Sequence, residues 1–199
     1  MLIVTDPATT AARRLVSVEL IESTLGVAEI VAESLADAAT AMIERYCDRV
    51  FAEQGYEERL PGNGTAVLRL SAFPVISVAS VKVGGEDEEE YTLDAARGWL
   101  YTKEGVWRDS FTMARIIELT PVFRANPTPN IVVAYRAGYA QIPADLQRAA
   151  LLLAQTIHKQ QYINGALSSE SIGDWSYSVD TRGVMASVEP FLAAYRVLT

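Results

Sequence analysis

Cysteine occurs once in the 199 residues, at Cys47, and histidine once, at His158. A lone cysteine excludes an intramolecular disulfide and any multi-cysteine zinc site, and it fits a reducing compartment. A lone histidine excludes a multi-histidine metal centre. Catalytic signatures are missing too: the chain has no GxSxG, no P-loop, no GxGxxG ahead of a helix and no HExxH. Cys47 is therefore expected as a small buried residue on a helix, and His158, beside Ile157, as a packed or partly exposed residue and not a general base. Long apolar runs are absent as well. "AALLLAQTI" and "PNIVVAY" are core-sized, far short of the ~20 residues that span a bilayer. The opening "MLIVTDPATTAARRL" has only three apolar residues before Asp6 and Pro7, which is not the pattern of a signal peptide. A soluble chain made in the cytoplasm, with no membrane contact, is the expectation. Positive charge is scarce: 17 Lys and Arg stand against 25 Asp and Glu, a net charge of -8. That argues against a nucleic-acid-binding surface driven by phosphate neutralisation, while leaving room for a surface past which DNA merely slides.

What is present is the composition of a folded protein, half hydrophobic and a fifth charged, well away from the disordered regime. Ser17 before "VELIESTL" and Gly26 after it are the start and stop signals of a short helix. From Ala28 to about Phe51 a long amphipathic helix is expected, with Val31, Leu35, Ala39, Met42 and Tyr46 as its apolar stripe and Glu33, Asp37, Glu44, Arg45 and Asp48 off it. The period then changes. Strands are expected at Ala66 to Leu70, in "VISVASVKV", and at Glu90 to Leu93, Trp99 to Thr102, Ala114 to Thr120 and Ile131 to Arg136, with turns at Pro61-Gly62-Asn63-Gly64, Gly84-Gly85 and Gly98. In "VISVASVKV" the set Val75, Ser77, Ala79, Val81 and Val83 is expected inside. "EDEEE", Glu86 to Glu90, is expected as a solvated turn because EF-hand spacing is lacking. "TPVFRANPTPN" is a Pro-rich loop.

Helical period returns at Pro143 and Asp145, with Leu146, Ala150, Leu153 and Ile157 as a core stripe and Gly165 as the stop. "SSESIGDWSYSVD" comes next, and "VEPFLAAYRVLT" closes the chain as a short helix with Pro190 in its first turn. The expected fold class is α+β. A helical module of residues 1–53 plus 140–199 carries an inserted antiparallel β-rich subdomain, 54–139.

The segments "LVSVELIESTLGV", "LADAATAMIERYCDRVF", "LRLSAFPVISVASVKVGG" with "EYTLDAARGWLY", "IVVAYRAGYAQIPADLQRAALLLAQTIHKQQ" and "SSESIGDWSYS" follow one another in the order seen in a known family. In that order the chain resembles the head-to-tail connector (adaptor, or head-completion) proteins of tailed double-stranded DNA phages and gene-transfer particles. Each motif alone is generic, and the order carries the likeness over residues 15 to 199. The resemblance implies a structural protein of the virion neck and not an enzyme, with no cofactor. It implies a ring, of twelve copies, beneath the portal, which extends the DNA channel and meets a tail-proximal neck protein, a stopper or terminator. DNA would pass without sequence-specific binding. Another neck or tail-completion protein is the alternative, and a hydrolase using carboxylates of the β subdomain a more distant one.

Glu170, Asp174, Trp175 and Tyr177 combine aromatic surface with charge, the composition of an interface anchor. By the resemblance, Phe191, Tyr195 and Arg196 near the C-terminus would dock on the portal. Trp175 and Phe191 have a competing role in closing their own subunit's core.

Overall fold

The structure, a computed structural model, describes residues 1–103, 105–108, 129–167 (backbone alone over 161–167) and 185–196. The chain divides into two compact units, one of Met1–Ala8 with Glu53–Ala140 and one of Thr9–Ala52 with Gln141–Thr199. The class is α+β, with helices towards both ends of the sequence and antiparallel sheets between them.

In the β unit, strands β1 (Leu2–Asp6), β2 (Gln54–Leu60), β3 (Val67–Arg69), β4 (Val75–Val83), β5 (Glu86–Asp87), β6 (Tyr91–Asp94), β7 (Trp99–Thr102) and β8 (Ile131–Ala137) form two antiparallel sheets. One has the order β1-β2-β8-β4-β5 and the other β3-β7-β6. They share a core of Tyr56, Leu68, Leu70, Val75, Val81, Leu100, Trp107, Ile131, Val133, Tyr135 and Ala137. The expected strand at Ala114 to Thr120, and most of the "TPVFRANPTPN" loop, lie outside the described residues. β1 comes from the short apolar run at the N-terminus, for which the sequence pattern predicted no strand.

Strict alternation fails in β4. Ser77 and Ala79 are exposed while Val78 is half-buried. The register explains it: Val75, Val78, Val81 and Val83 face Ala137, Tyr135, Val133 and Ile131, with irregularities between Val75 and Ser77 and between Val78 and Ser80. Each irregularity shifts the phase by one residue, so two of them restore it. The inward row is therefore four valines, and Ile76 is left outside.

That row meets a buried acid. Glu58, 2% exposed, faces Val133 from β2. Its carboxylate accepts hydrogen bonds from the Ser71 amide at 2.9 Å, the Ser71 hydroxyl and the Tyr135 hydroxyl at 2.8 Å. The Tyr135 oxygen in turn accepts from the Ala72 amide at 3.2 Å, and its ring stacks on Tyr56 at 5.5 Å. Burial first, and the Glu58 charge second, hold the Tyr135 hydroxyl well above the ordinary tyrosine range.

In the helical unit, α1 (Thr10–Arg13) leads to α2 (Val18–Leu25), where the Ser17 hydroxyl accepts from the Leu20 amide and Gly26 ends the helix at φ 66°. The long helix α3 (Glu29–Cys47) is shorter than its pattern predicted and turned on its axis. Its buried side is Ala32, Leu35, Ala36, Ala39, Thr40, Ile43, Glu44 and Cys47, while Val31 is exposed and Met42 and Tyr46 only half-buried. Alanines let a neighbouring backbone approach closely, so the small residues, and not the valine, take the inner face. Asp48 ends the helix in the left-handed region at φ 53°, and the Arg49 amide donates to the Glu44 carbonyl at 3.1 Å.

Glu44, expected on the solvated side, is only 8% exposed. Its carboxylate accepts from Arg13 at 2.5 Å and from the Phe51 amide at 3.3 Å. A second guanidinium, Arg14, bridges Asp37 at 2.7 Å and Glu33 at 3.0 Å. The fourth helix, α4 (Ala144–Leu167), buries Leu146, Ala149, Ala150, Leu151, Leu153 and Ala154 and runs two residues beyond Gly165. Ile43 and Leu151 thus belong to the unit's own core.

Two outcomes test the Glu58 network. Glu58→Ala strands the Tyr135 hydroxyl and the Ser71 amide, and urea unfolding should show a loss of about 2–4 kcal/mol. Above pH about 10 an unfolded chain releases the tyrosine proton that folded Tyr135 retains, so stability falls as pH rises. Tyr135→Phe should be less stable than the parent at pH 7 and should lose less on going to pH 11.

Candidate functional site

Cys47 is fully buried, and burial pushes its thiol up to about 11, which removes it as a nucleophile at neutral pH. His158 sits half-buried on α4. Among the described residues no group of three or more His, Cys, Asp and Glu could hold a metal ion, and no helix is long and apolar enough to cross a membrane.

Of the seven residues singled out in the sequence, Glu170, Asp174, Trp175 and Tyr177 lie outside the described residues. Of the other three, Phe191 lies on α5 (Glu189–Leu192), Tyr195 ends the 3-10 turn Ala193–Tyr195, and Arg196 follows it in the same short segment. Pro190 in the first turn fits the helix start, where its missing N–H is not needed. Val188 and Leu192 are both 0% exposed and fix the segment to its unit. Phe191, one residue before Leu192 on the helix, is turned outward and 39% exposed.

Tyr195 and Arg196 are engaged within their own unit. The Tyr195 hydroxyl donates to the Asp145 carboxylate, its oxygens 2.7 and 2.8 Å away, at the start of α4. Its ring lies edge-on to Phe51 at 5.8 Å. The Arg49 guanidinium covers the Phe51 ring at 5.1 Å, and Arg196 covers Tyr46 at 5.4 Å. Five side chains from the end of α3 and from the C-terminus thus interleave cations with aromatics. Phe191 is the one of the three whose apolar surface remains open to a partner.

A second aromatic group is on the β unit. Trp99 carries the guanidiniums of Arg69 at 5.2 Å and Arg97 at 5.4 Å, with Tyr101 edge-on at 6.4 Å. The sequence reading did not single these residues out. A signal existed, since alternation in "LRL" and "WLYT" puts Arg69, Trp99 and Tyr101 on the face opposite Leu68, Leu70 and Leu100. No such signal pointed to Asp145 and Phe51 as partners of Tyr195, because their approach depends on the tertiary packing.

Comparison with known proteins gives the following. A family model described as head completion protein matches residues 26–198. No curated protein matches the chain significantly. Among solved structures, the chain is similar to one in the neck of a native GTA particle computed with C12 symmetry, with a TM-score of 0.59 and 19% identity, covering 100% of this chain and 96% of that one. A chain in the neck of an empty GTA particle computed with C6 symmetry gives 0.59 and 18% at the same coverage. One in the virion of a native gene transfer agent particle gives 0.57 and 16%, again over 100% and 96%. At these identities the likeness is one of fold.

The contrast between Leu192 and Phe191 is testable in the isolated protein. Leu192→Ala should destabilise it by about 2–5 kcal/mol in urea unfolding, whereas Phe191→Asp, at an exposed site, should stay within about 0.5 kcal/mol of the parent.

Proposed function

Because the match over residues 26–198 makes this chain a member of the head completion protein family, a structural family and not one of enzymes, we propose that it forms a ring joining the capsid portal to the tail and extending the DNA channel. The observation that carries this is the family match, supported by a fold shared over the whole chain with proteins in the necks of gene transfer agent particles. One of those necks was computed with C12 symmetry, which supports twelve copies here. The neck of such a particle is the proposed location, and the portal and a tail-proximal stopper or terminator are the proposed neighbours.

The chemistry is compatible with a conduit. A net charge of -8 suits a wall that must not hold DNA, since each phosphate neutralised by Lys or Arg adds affinity and retards passage. Many guanidiniums are already committed to carboxylates: Arg14 to Asp37 and Glu33, Arg136 to Glu53 and Asp6, Arg13 to Glu44. Among the portal-facing candidates, Phe191 has the exposed aromatic surface of a docking anchor. Glu170, Asp174, Trp175 and Tyr177 are the other proposed contact residues, and Tyr195 and Arg196 support the segment from behind.

Negative-stain imaging of the purified protein, alone and mixed with the portal of the same particle, tests this proposal. Rings, or a collar on the portal, are expected. A protein that stays monomeric under assembly conditions and has no affinity for portal would refute it. Phe191→Asp should weaken portal binding by about tenfold or more with the fold unchanged, the scale of losing a buried aromatic anchor.

A further inference from the structure

The outer face of the β3-β7-β6 sheet carries the Trp99 group, and the same β6-β7 hairpin has an acidic run at its other end. In the register of the hairpin, Asp94 faces Trp99 beside the turn and Tyr91 faces Thr102 at the open end. Leu68, Leu93 and Leu100 lie on the core side of this sheet. Arg69 and Trp99 face each other across β3 and β7, and so do Val67 and Tyr101, so all four lie on the outer side. Arg97, its side chain 67% exposed, reaches Trp99 from the turn while bonded to Asp94 at 3.0 Å. Arg69 is exposed and has no carboxylate partner among the described residues. The result is an aromatic platform with one guanidinium balanced by Asp94 and one that has no carboxylate partner among the described residues.

Beyond the open end, the Lys103 amide donates to the Glu90 carbonyl at 2.9 Å and the acidic run begins. Glu86, Asp87, Glu89 and Glu90 are exposed there. Lys82 meets Asp87 at 3.6 Å and Lys103 meets Glu90 at 3.1 Å, which leaves Glu86 and Glu89 without ion pairs among the described residues. Four residues of strand, about 13 Å at the rise of an extended chain, separate the cationic end from the acidic end.

We propose that the Arg69, Arg97, Trp99 and Tyr101 face docks the acidic Glu86 to Glu90 segment of a second copy of this chain. The contact is head-to-tail. A closed ring of identical subunits needs two different patches that complement one another, and opposite charge at the two ends of one hairpin supplies such a pair. Arginine and the large aromatics are the residues that anchor interfaces, and stacked guanidiniums keep their donors free for carboxylates. A nucleic-acid phosphate is the less suitable occupant, because two arginines, one of them paired with Asp94, beside an acidic run make no track for a backbone. This inference rests on the ring reading above and specifies one of its contacts.

The test uses the full chain under assembly conditions, with light scattering and negative stain as readouts. Arg69→Glu with Arg97→Glu, and separately Glu86→Lys with Glu89→Lys, should each lower the extent of self-association by about tenfold or more. The chain carrying all four changes should regain it, and circular dichroism melting should show each variant folded. Parent self-association should weaken with added salt. Rings that form equally well in both charge-reversed variants would overturn the contact and leave the ring standing. Should the parent form no ring, a peptide of Gly84 to Tyr91 separates the two ideas. Trp99 fluorescence that responds to the peptide in the parent but not in Arg69→Glu/Arg97→Glu would sustain the contact while the ring fails, and no response would overturn it. A short duplex DNA that displaces the peptide and binds more tightly would overturn the choice of occupant.

Discussion

A carboxylate taken out of water must find hydrogen-bond donors on nearly every side, and each unit is arranged around one that does. Glu58 gathers the Ser71 amide, the Ser71 hydroxyl and the Tyr135 hydroxyl. To reach it, the chain between β2 and β4 must bring Ser71 and Ala72 over the sheet, and Tyr135 must point inward from β8. Glu44 makes a similar demand on the helical unit. It holds Arg13 and the Phe51 amide with its carboxylate, and its carbonyl closes the end of α3. Removing one partner from such a group is expensive because the others are left desolvated and unpaired. Each acid therefore fixes the path of a connection that apolar packing alone would leave loosely specified.

Around these acids the apolar cores follow from shape. The four inward valines of β4 oppose the inward side chains of β8 only because two irregularities correct the phase. On α3 the alanines turn inward and leave Val31 and Ile30 outside, 37% and 72% exposed. Small inner residues permit close approach, and close approach gains more dispersion contacts than one buried valine would.

These two effects mark where the sequence was legible. Ser17 and Gly26, Pro143, the Gly84-Gly85 turn and the Trp99 to Thr102 strand could be read because each depends on local conformational preference. The face of α3 could not be, since apolar periodicity treats Ala32 and Val31 as nearly equal candidates and only the neighbour decides. The β4 phase could not be either, because "VISVASVKV" is compatible with a straight strand and the irregularities answer to β8. Glu44 and Glu58 look like ordinary surface acids in sequence, and their partners are 31 and 77 residues away in the cases of Arg13 and Tyr135. At the C-terminus, the aromatic and basic residues were identifiable as a group. Which of them turned inward was not, because that was settled by the burial of Val188 and Leu192.

The same distinction bears on how a protein without chemistry of its own does work. Its buried acids Glu44 and Glu58 are satisfied internally, and contacts with partners form on the outer surface, where interactions are individually weak and screened by salt. An exposed ion pair alone would contribute little. Trp99 changes that balance, because two guanidiniums held over one ring lose less freedom on meeting carboxylates. Repetition would then multiply the effect: in the proposed ring every copy would make the proposed contact on both sides, and once a neighbour is in place the remaining contacts form at high effective concentration. A contact too weak to hold a dimer in dilute solution is thus sufficient in a ring assembled on a symmetric template, which would let subunits remain separate until the template is present.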